Sequence, residues 1–380
     1  MAVLRALPIG LGDSATSVLP DVADALAGRG AALLPVPAHD DRQTAVLTTA
    51  LRAGEPIDDD VAVVVATSGT TGTPKGAMLT AAALVASAEA THLRLGGAGR
   101  WLLALPAYHV AGLQVLVRSV VAGADPVAVP ADVDPADLPA AVRAMGSGRR
   151  YASVVAVQLD KALRSPAAAA ALAELDGVLV GGGPMPAGLA ERAAAAGVSV
   201  VRTYGMSETA GGCVYDGLPL EGVRLRLDDS RVVLGGATVA KGYRNPVQPD
   251  PFAESGWFRT DDVGAIDDSG RLRVLGRVDD AISTGGLTVL PQLVESALAT
   301  HAAVADSAVF GVPDDRLGQR VVAAIVLTAG AAPPSVADLR EHVAQTLDVT
   351  AAPREVHVVE DLPRRGIGKL DRRALAARFA

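Results

Sequence analysis

Residues 67–76 read Thr-Ser-Gly-Thr-Thr-Gly-Thr-Pro-Lys-Gly. They directly follow an apolar run, 61–66, that reads as a buried strand, and Thr80 then opens an Ala-rich helical stretch to about Arg94. A strand, a hydroxyl-rich loop and a helix in that order place backbone N–H groups and hydroxyls where they cradle phosphate oxygens. Gly69, Gly72 and Gly76 let the backbone approach a ligand and take positive φ. Thr67, Ser68, Thr70, Thr71 and Thr73 add side-chain donors, and Lys75 adds one mobile positive charge. The loop is not a Walker A sequence, which needs Gly directly before its Lys and Ser or Thr directly after. Pro74 and Gly76 stand in those places. A plain surface turn is the alternative reading. Eight hydroxyl or glycine positions together with Lys75, just past a strand, weigh against it.

At 380 residues the chain has length for two or three domains. Half of it is hydrophobic, much of that alanine, and 3% is aromatic. The net charge of −8 disfavours a general nucleic-acid binder while leaving anionic small substrates open. Cys213 is the only cysteine, so no disulfide framework exists and a reducing cytoplasm is expected. No apolar run reaches the roughly 18 residues a spanning helix needs. The first residues lack the charged-then-apolar layout of a signal peptide. A homo-oligomer is compatible with the sequence, which carries no signal for one.

From 61 to about 205, short β-rich runs at 61–66, 101–105, 127–129, 152–157, 177–180 and 198–202 alternate with Ala-rich helical stretches at 111–122, 135–145, 158–164 and 186–196. That alternation predicts an α/β fold with a mainly parallel sheet and flanking helices. Ligands then bind beyond the carboxyl ends of the strands. The informative loops, 67–76, 106–109, 181–184 and 203–209, all follow strands and so are expected to converge. Between about 206 and 278, Gly, Asp and Arg mix with short β runs, which reads as a small β-rich subdomain of a large N-terminal domain, 1–278. The stretch 279–380 reads as a compact α+β domain: a hairpin, a helix, two strands, a helix, a strand and a last helix.

Six further segments follow the opening loop in order: Pro106-Ala107-Tyr108-His109-Val110-Ala111-Gly112, Gly181-Gly182-Gly183-Pro184, Tyr204-Gly205-Met206-Ser207-Glu208-Thr209, Trp257-Phe258-Arg259-Thr260-Asp261-Asp262, Gly276-Arg277-Val278-Asp279-Asp280 and Pro363-Arg364-Arg365-Gly366-Ile367-Gly368-Lys369. Together the seven resemble the adenylate-forming superfamily of acyl- and aryl-CoA synthetases, luciferases and adenylation domains, from about residue 60 to the C-terminus. The stretch 204–217, the short chain and the short region before the loop look like the actinobacterial o-succinylbenzoate–CoA ligases of menaquinone synthesis.

The resemblance implies a two-step reaction with ATP, Mg²⁺ and coenzyme A: a carboxylic acid attacks the α-phosphate, and a thiol then displaces AMP from the acyl-adenylate. By that resemblance Lys369, in a loop between Gly366, Gly368 and the last helix, bridges carboxylate and adenylate oxygens, and Glu208 holds Mg²⁺. Tyr204 and Gly205 face the adenine, with Gly182, Gly183 and Pro184 leaving room for it. Ser207 and the 67–75 loop handle phosphates. Asp262 takes the ribose hydroxyls, although Asp261 stands where the family has Gly, and Arg277 pairs with ribose or phosphate. Asp279 is the hinge about which a small mobile domain, 279–380, turns between the half-reactions. Gly285 and Gly286 line the pantetheine tunnel, with Leu287 where many members have a cation. His109 closes the acyl pocket, where Gly205 and Thr209 also lie. Gln158 and Arg202 are candidates to meet a second substrate carboxylate. Rival readings are a different acyl- or aryl-CoA ligase, a stand-alone enzyme loading a carrier protein, and a nucleotide-binding regulatory protein without catalysis. The presence of Lys369, Glu208 and the complete loop argues against the last.

Overall fold

The computed structural model describes residues 2–67, 73–186, 188–365 and 369–380, with Arg365 and Lys369 described at the backbone only. Its contacts divide the chain into two compact units. The first holds residues 1–182, 190–226 and 233–260; the second holds 183–189, 227–232 and 261–380. The expected boundary at 278/279 lies inside the second unit.

The first unit contains two sheets. One is built from β1 (Ala2–Ile9), β2 (Ala32–Pro37), β3 (Pro56–Ile57), β4 (Val61–Val65) and β5 (Ala77–Thr80), in the order β3-β1-β2-β4-β5. Strands β1, β2 and β4 are parallel neighbours. β2 and β4 are uninterrupted runs of buried residues, as strands covered on both faces must be. Helices α1 (Leu19–Leu26), α2 (Asp41–Ala50) and α3 (Ala81–Arg94) follow or join these strands. Thr80 caps α3 as expected, its hydroxyl accepting from the Ala83 N–H.

The second sheet takes β6 (Arg100–Leu103), β7 (Val127–Ala128), β8 (Arg150–Val155), β9 (Gly177–Gly181), β10 (Val200–Met206), β11 (Gly211–Tyr215) and β12 (Leu218–Pro219), in the order β12-β11-β10-β9-β8-β6-β7. It is parallel from β7 to β10, and β11 and β12 return antiparallel. Helices α4 (Val110–Ala122), α5 (Leu138–Ala144), α6 (Ala156–Leu163), α7 (Pro166–Ala173) and α8 (Leu189–Ala195) fill the crossovers. One apolar core draws Leu7, Leu33 and Val63 from the first sheet, Trp101 and Tyr151 from the second, and Val22, Leu84 and Leu113 from α1, α3 and α4. The alternating α/β architecture is the one expected.

Two local expectations change. The 67–76 loop is not followed directly by a helix. Residues 77–80 form β5, which pairs antiparallel with β4 in the register Val65↔Ala77 and Val64↔Met78. The loop therefore connects a β-hairpin, and the N-terminal dipole of α3 lies a strand away from it. The reason is the pattern Ala77-Met78-Leu79-Thr80, which alternates buried and half-buried side chains. The residues Ala156 and Val157, read as strand, open α6 instead. There the Gln158 side chain reaches back to accept from the Val155 N–H at 3.0 Å, capping the helix start.

Between the units' pieces the chain adds β13 (Val223–Asp228), β14 (Arg231–Gly236), β15 (Trp257–Ile266) and β16 (Leu272–Arg277), the expected β-rich region. The C-terminal stretch carries β17 (Ile282–Thr284), β18 (Leu287–Val289), α9 (Pro291–Leu298), β19 (Val304–Asp314), β20 (Gly318–Leu327), α10 (Val336–Ala344), β21 (Glu355–Val358), β22 (Arg364–Arg365), β23 (Lys369–Leu370) and α11 (Arg372–Arg378). Its long β19–β20 hairpin is covered by α9 and α10 on one face and by α11 on the other. Among the described residues, no helix is long and apolar enough to cross a membrane.

Beneath α3 and α4, the Trp101 indole N–H donates to His92 Nε2 at 3.3 Å. Burial, aided by the Arg118 charge, lowers the His92 pKa to about 4. The folded chain thus holds a neutral imidazole that the unfolded chain protonates below about pH 6.5. The unfolded state binds the extra proton between these values, so stability is retained above pH 6.5 and lost as pH falls toward 4. The full span is worth about 3 kcal/mol at most. His92→Gln keeps an acceptor without the titration, so the stability gap between variant and parent should shift in the variant's favour between pH 7 and pH 5 in urea unfolding. A pH-independent gap would refute this account.

Candidate active site

Strand ends and their following loops bring the expected segments of the first unit together. Residues Ser68–Gly72, the centre of the opening loop, lie outside the described residues. Its flanks are defined. The Thr67 hydroxyl is buried and has no hydrogen-bond partner among the described residues. Such a group is costly unless a ligand or water satisfies it. On the other flank, residues 74–78 are stitched to 241–245. Asn245 N–H donates to the Lys75 carbonyl at 2.9 Å, Arg244 N–H to the Gly76 carbonyl at 2.8 Å, and Met78 N–H to the Gly242 carbonyl at 2.9 Å. The Asn245 amide also donates to the Pro74 carbonyl at 2.8 Å. Gly76 is required here on two counts: its φ is +73°, and a Cβ would stand 2.6 Å from Leu51 Cδ2.

That seam delivers Tyr243. Its hydroxyl donates to Glu208 Oε1 at 2.6 Å, and Lys75 Nζ lies 5.2 Å from its ring centre. One aromatic side chain thus spans the expected metal-holding carboxylate and the phosphate-handling lysine. Glu208 is buried, and the Tyr243 hydroxyl bonds one of its two carboxylate oxygens. A buried anionic oxygen suits a hard divalent cation that takes its other ligands from phosphates and water. Among the described residues, no group of three or more His, Cys, Asp or Glu side chains converges as a closed metal cage. No sequence motif marks Tyr243. Its only signal is an aromatic in the Gly-Tyr-Arg run 242–244, and the contact partners lie 35 and 168 residues away in the chain.

Tyr204 and Gly205 end β10, where Gly205 pairs across to Gly212 of β11. Ser207, Glu208 and Thr209 form a single 3₁₀ turn. The Thr209 hydroxyl is buried and bonded to the Met206 N–H and the Gly211 carbonyl, so it shapes the turn instead of presenting a free group to substrate. Gly182 follows β9 at φ +83°, while Gly183 and Pro184 fall in the second unit.

His109 directly precedes α4. The ring of Tyr108 lies between it and His39, with centroid separations of 4.7 and 5.7 Å. His39 sits just past the end of β2, so the N-terminal 60 residues supply both a sheet and a loop at this site. The face of α4 that continues from Val110 carries Gln114 and Arg118, one turn apart, against β11. A Cβ on Gly211 would be 3.1 Å from Gln114 Cγ. Arg118 reaches Tyr215 Oη and Ser153 Oγ, both at 3.4 Å, and stacks 4.7 Å from the Trp101 ring. It is 3% exposed, has no carboxylate partner among the described residues, and its Nε is unbonded. Both polar atoms of Gln114 are also buried and unbonded. Burial lowers the Arg118 pKa, and Tyr215 opposes the shift. The sequence signal for this pair is plain in retrospect: Gln114 and Arg118 are the only strongly polar residues of an otherwise apolar helix, spaced i, i+4.

The two residues expected near a second carboxylate are committed elsewhere. The Gln158 amide caps Val155 and donates to the carbonyls of Ala104 and Ala131 at 2.8 and 2.6 Å. The Arg202 side chain is two-thirds exposed and pairs with Asp216. Cys213 is fully buried, and burial pushes its thiol up to about 12, consistent with a filler and not a nucleophile.

In the second unit, Asp262 and Arg277 are cross-strand partners on β15 and β16. Asp262 is buried and accepts from Arg277 Nη1 at 3.2 Å. Asp261 is half exposed and paired with Arg231 at 2.8 Å. The adjacent carboxylates therefore differ: Asp262 is oriented and desolvated, Asp261 faces solvent. Arg277 also clasps both oxygens of Asp279 at 2.8 Å. Burial pulls its pKa down, and Asp279, Asp262 and Asp261 more than offset this and hold it above its usual range. Gly285 and Gly286 form the two-residue turn of the β17–β18 hairpin, both at positive φ. Lys369 is placed by its backbone opposite Arg365 in the β22–β23 hairpin. Its side chain lies outside the described residues, as do Gly366–Gly368.

This arrangement has known counterparts. The AMP-binding enzyme profile matches residues 14–243, and the AMP-binding enzyme C-terminal domain profile matches 293–369. The "Probable 2-succinylbenzoate–CoA ligase" of Mycobacterium tuberculosis (strain H37Rv) is 65% identical over 382 aligned positions, covering 99% of each chain. The 2-succinylbenzoate–CoA ligase of Geobacillus kaustophilus is 34% identical over 342, covering 83% of this chain and 69% of its own. Among solved structures, o-succinylbenzoate CoA synthetase (MenE) of Bacillus subtilis in complex with the acyl-adenylate intermediate OSB-AMP superposes with a TM-score of 0.74 at 26% identity, covering 98% of this chain and 88% of that one. The same enzyme in complex with ATP and magnesium ion gives 0.74 at 27%, covering 98% and 89%. With both profiles spanning the large and small parts and a near full-length relative at this identity, the chain belongs to the AMP-binding enzyme family.

Proposed function

We propose that this protein is an ATP- and Mg²⁺-dependent acid–CoA ligase that converts 2-succinylbenzoate to its CoA thioester, a step of menaquinone biosynthesis. In the first half-reaction a carboxylate oxygen attacks the α-phosphorus, forming the acyl-adenylate as the bond to pyrophosphate breaks. In the second, the CoA sulfur attacks the acyl carbon, loses its proton and expels AMP. The names of the relatives support the reaction. Its substrates, together with a single buried free thiol, suit a cytoplasmic enzyme.

The observation that carries the choice of acid is Arg118. A buried guanidinium without a counter-ion costs several kcal/mol, and an anion brought to it offsets that cost. 2-Succinylbenzoate has two carboxylates, one to activate and one to spare. The spare one seated at Arg118 and Gln114 leaves the other at the His109 end of α4. Gln158 and Arg202, bound to other partners, have no part in this. Around the nucleotide, Tyr204 and Gly205 take the adenine, Asp262 the ribose, and the 67–75 loop the β- and γ-phosphates. Glu208, steadied by the Tyr243 hydroxyl, would hold Mg²⁺, which neutralises phosphate charge when bound. Lys369 meets the carboxylate and adenylate oxygens. Two unit charges of like sign 4 Å apart repel by about 4 kcal/mol at an effective dielectric near 20, and a lysine there removes that barrier. Asp279 serves as the hinge, and the Gly285–Gly286 turn faces the incoming pantetheine.

The parent enzyme should release pyrophosphate with 2-succinylbenzoate, and far less with benzoate at equal concentration. In Arg118→Met the KM for 2-succinylbenzoate should rise by about 100-fold, the cost of losing one buried charge pair, with the KM for ATP little changed. The apo-protein's unfolding midpoint should hold steady or rise, because an uncompensated charge has left the core. A destabilised variant with an unchanged KM would make Arg118 a structural residue. Lys369→Ala should lower adenylation by roughly 10²–10³-fold. Thioester formation from supplied acyl-adenylate should stay within a few-fold of the parent. Equal loss in both half-reactions would rule out the assigned role of Lys369.

A further inference from the structure

The motif Gly276–Asp280 ends in two adjacent aspartates, and each is gripped by a different arginine of the second unit. Asp279 is held by Arg277. Asp280 accepts from Arg372 Nη1 at 3.3 Å and from the Gln292 amide at 3.1 Å. Arg372 is the first residue of α11 and stands three positions after Lys369.

The rest of the Arg372 guanidinium closes a ring of hydrogen bonds. Nη2 donates to both oxygens of Glu295, at 2.9 and 2.7 Å. Glu295 Oε1 accepts from the Val309 N–H at 2.7 Å, and the Val309 carbonyl accepts from Arg372 Nε at 3.1 Å. The planar fork of arginine matches this geometry; an ammonium does not. Glu295 belongs to α9 and Val309 to the long strand β19, so the ring ties the start of α11 to the body of the small α/β fold. Burial raises the Glu295 pKa, and the Arg372 charge and the Val309 N–H work against that shift.

The link from Arg372 back to Lys369 is short and stiff. The Asp371 N–H donates to the Pro363 carbonyl at 2.8 Å, closing the base of the β22–β23 hairpin. The Asp371 side chain accepts from the Ala374 N–H at 3.0 Å and caps α11. Apolar anchoring is already supplied by Leu375, which is fully buried beside Phe310, and by Leu370 packed against the same cluster. A buried ion pair adds little net stability over such packing, but it does define a single geometry.

We propose that Arg372 is a positioning residue for adenylation: through Glu295, Val309 and Asp280 it fixes the start of α11, three residues after Lys369, to the body of the small fold and to the residue after Asp279. Turning about Asp279 then carries Lys369 to a defined place, and the place depends on the clamp. This inference rests on the reading of Lys369 as the adenylation lysine.

The test measures both half-reactions in full-length Arg372→Met, Arg372→Lys, Glu295→Gln, Lys369→Ala and the double variant Arg372→Met/Lys369→Ala. Displacement on the order of an ångström at a reacting group can cost about 100-fold. Pyrophosphate release should therefore fall about 10- to 100-fold in Arg372→Met, less in Arg372→Lys and Glu295→Gln. Thioester formation from supplied acyl-adenylate, which requires a folded small domain, should stay within about threefold. The double variant should lose no more adenylation than Lys369→Ala alone, because Arg372 acts only through that lysine. Parallel loss of both half-reactions in Arg372→Met and Glu295→Gln, or multiplicative losses in the double variant, would overturn the clamp. Loss in Lys369→Ala with none in Arg372→Met sinks the clamp alone. Loss in neither sinks the lysine reading, and the clamp with it.

Discussion

The hydrogen-bonded seam between residues 74–78 and 241–245 is the constraint on which the proposed nucleotide end of the site depends. A loop rich in glycine and threonine has high conformational entropy, and a phosphate cradle works only if that entropy has been removed before the ligand arrives. The seam does this on the exit side, with backbone bonds to Lys75, Gly76 and Met78. On the entry side the loop leaves β4, buried on both faces. The same seam carries Tyr243 to Glu208, so the element that holds residues 74–78 also orients the carboxylate proposed for Mg²⁺.

Charge is handled differently in the two units. In the second unit, Asp262, Arg277 and Asp279 form a mutually neutralising group, as do Asp280, Arg372 and Glu295. Such groups keep their shape without a ligand. Arg118 has no carboxylate partner among the described residues, and its Nε is unbonded there. Its cost is carried by cation–π contact with Trp101, by two long hydrogen bonds and by a neighbouring histidine kept neutral. A preorganised ion group positions; an unsatisfied one waits for substrate. This contrast separates residues that set geometry from those proposed to recognise the acid.

Much of the fold was legible because periodicity and loop chemistry are local. The alternation of β-rich and Ala-rich runs predicted a parallel sheet, and the segments 106–109 and 181–184 fall at or after strand ends, while the strand expected to stop at 202 runs on to Met206 and only 207–209 follow it. The start of α3 at Thr80 was readable for the same reason. The β5 return strand was missed because four residues, 77–80, carry too short a period to stand out beside a helix start. Gln158 and Arg202 have partners in the fold, two backbone carbonyls and Asp216, that a position near a strand end does not specify.

The sequence by itself determined the chemistry: which residues offer hydroxyls, carboxylates and cations, in what order, and on which kind of element. Those properties belong to each residue and its near neighbours. Only the tertiary structure decided which groups are left without partners. Whether Arg118 has a counter-ion, whether Gln158 is free, and whether Asp261 or Asp262 is desolvated all depend on residues far apart in the chain. Burial and pairing are sums over the folded surroundings, and no local pattern encodes them.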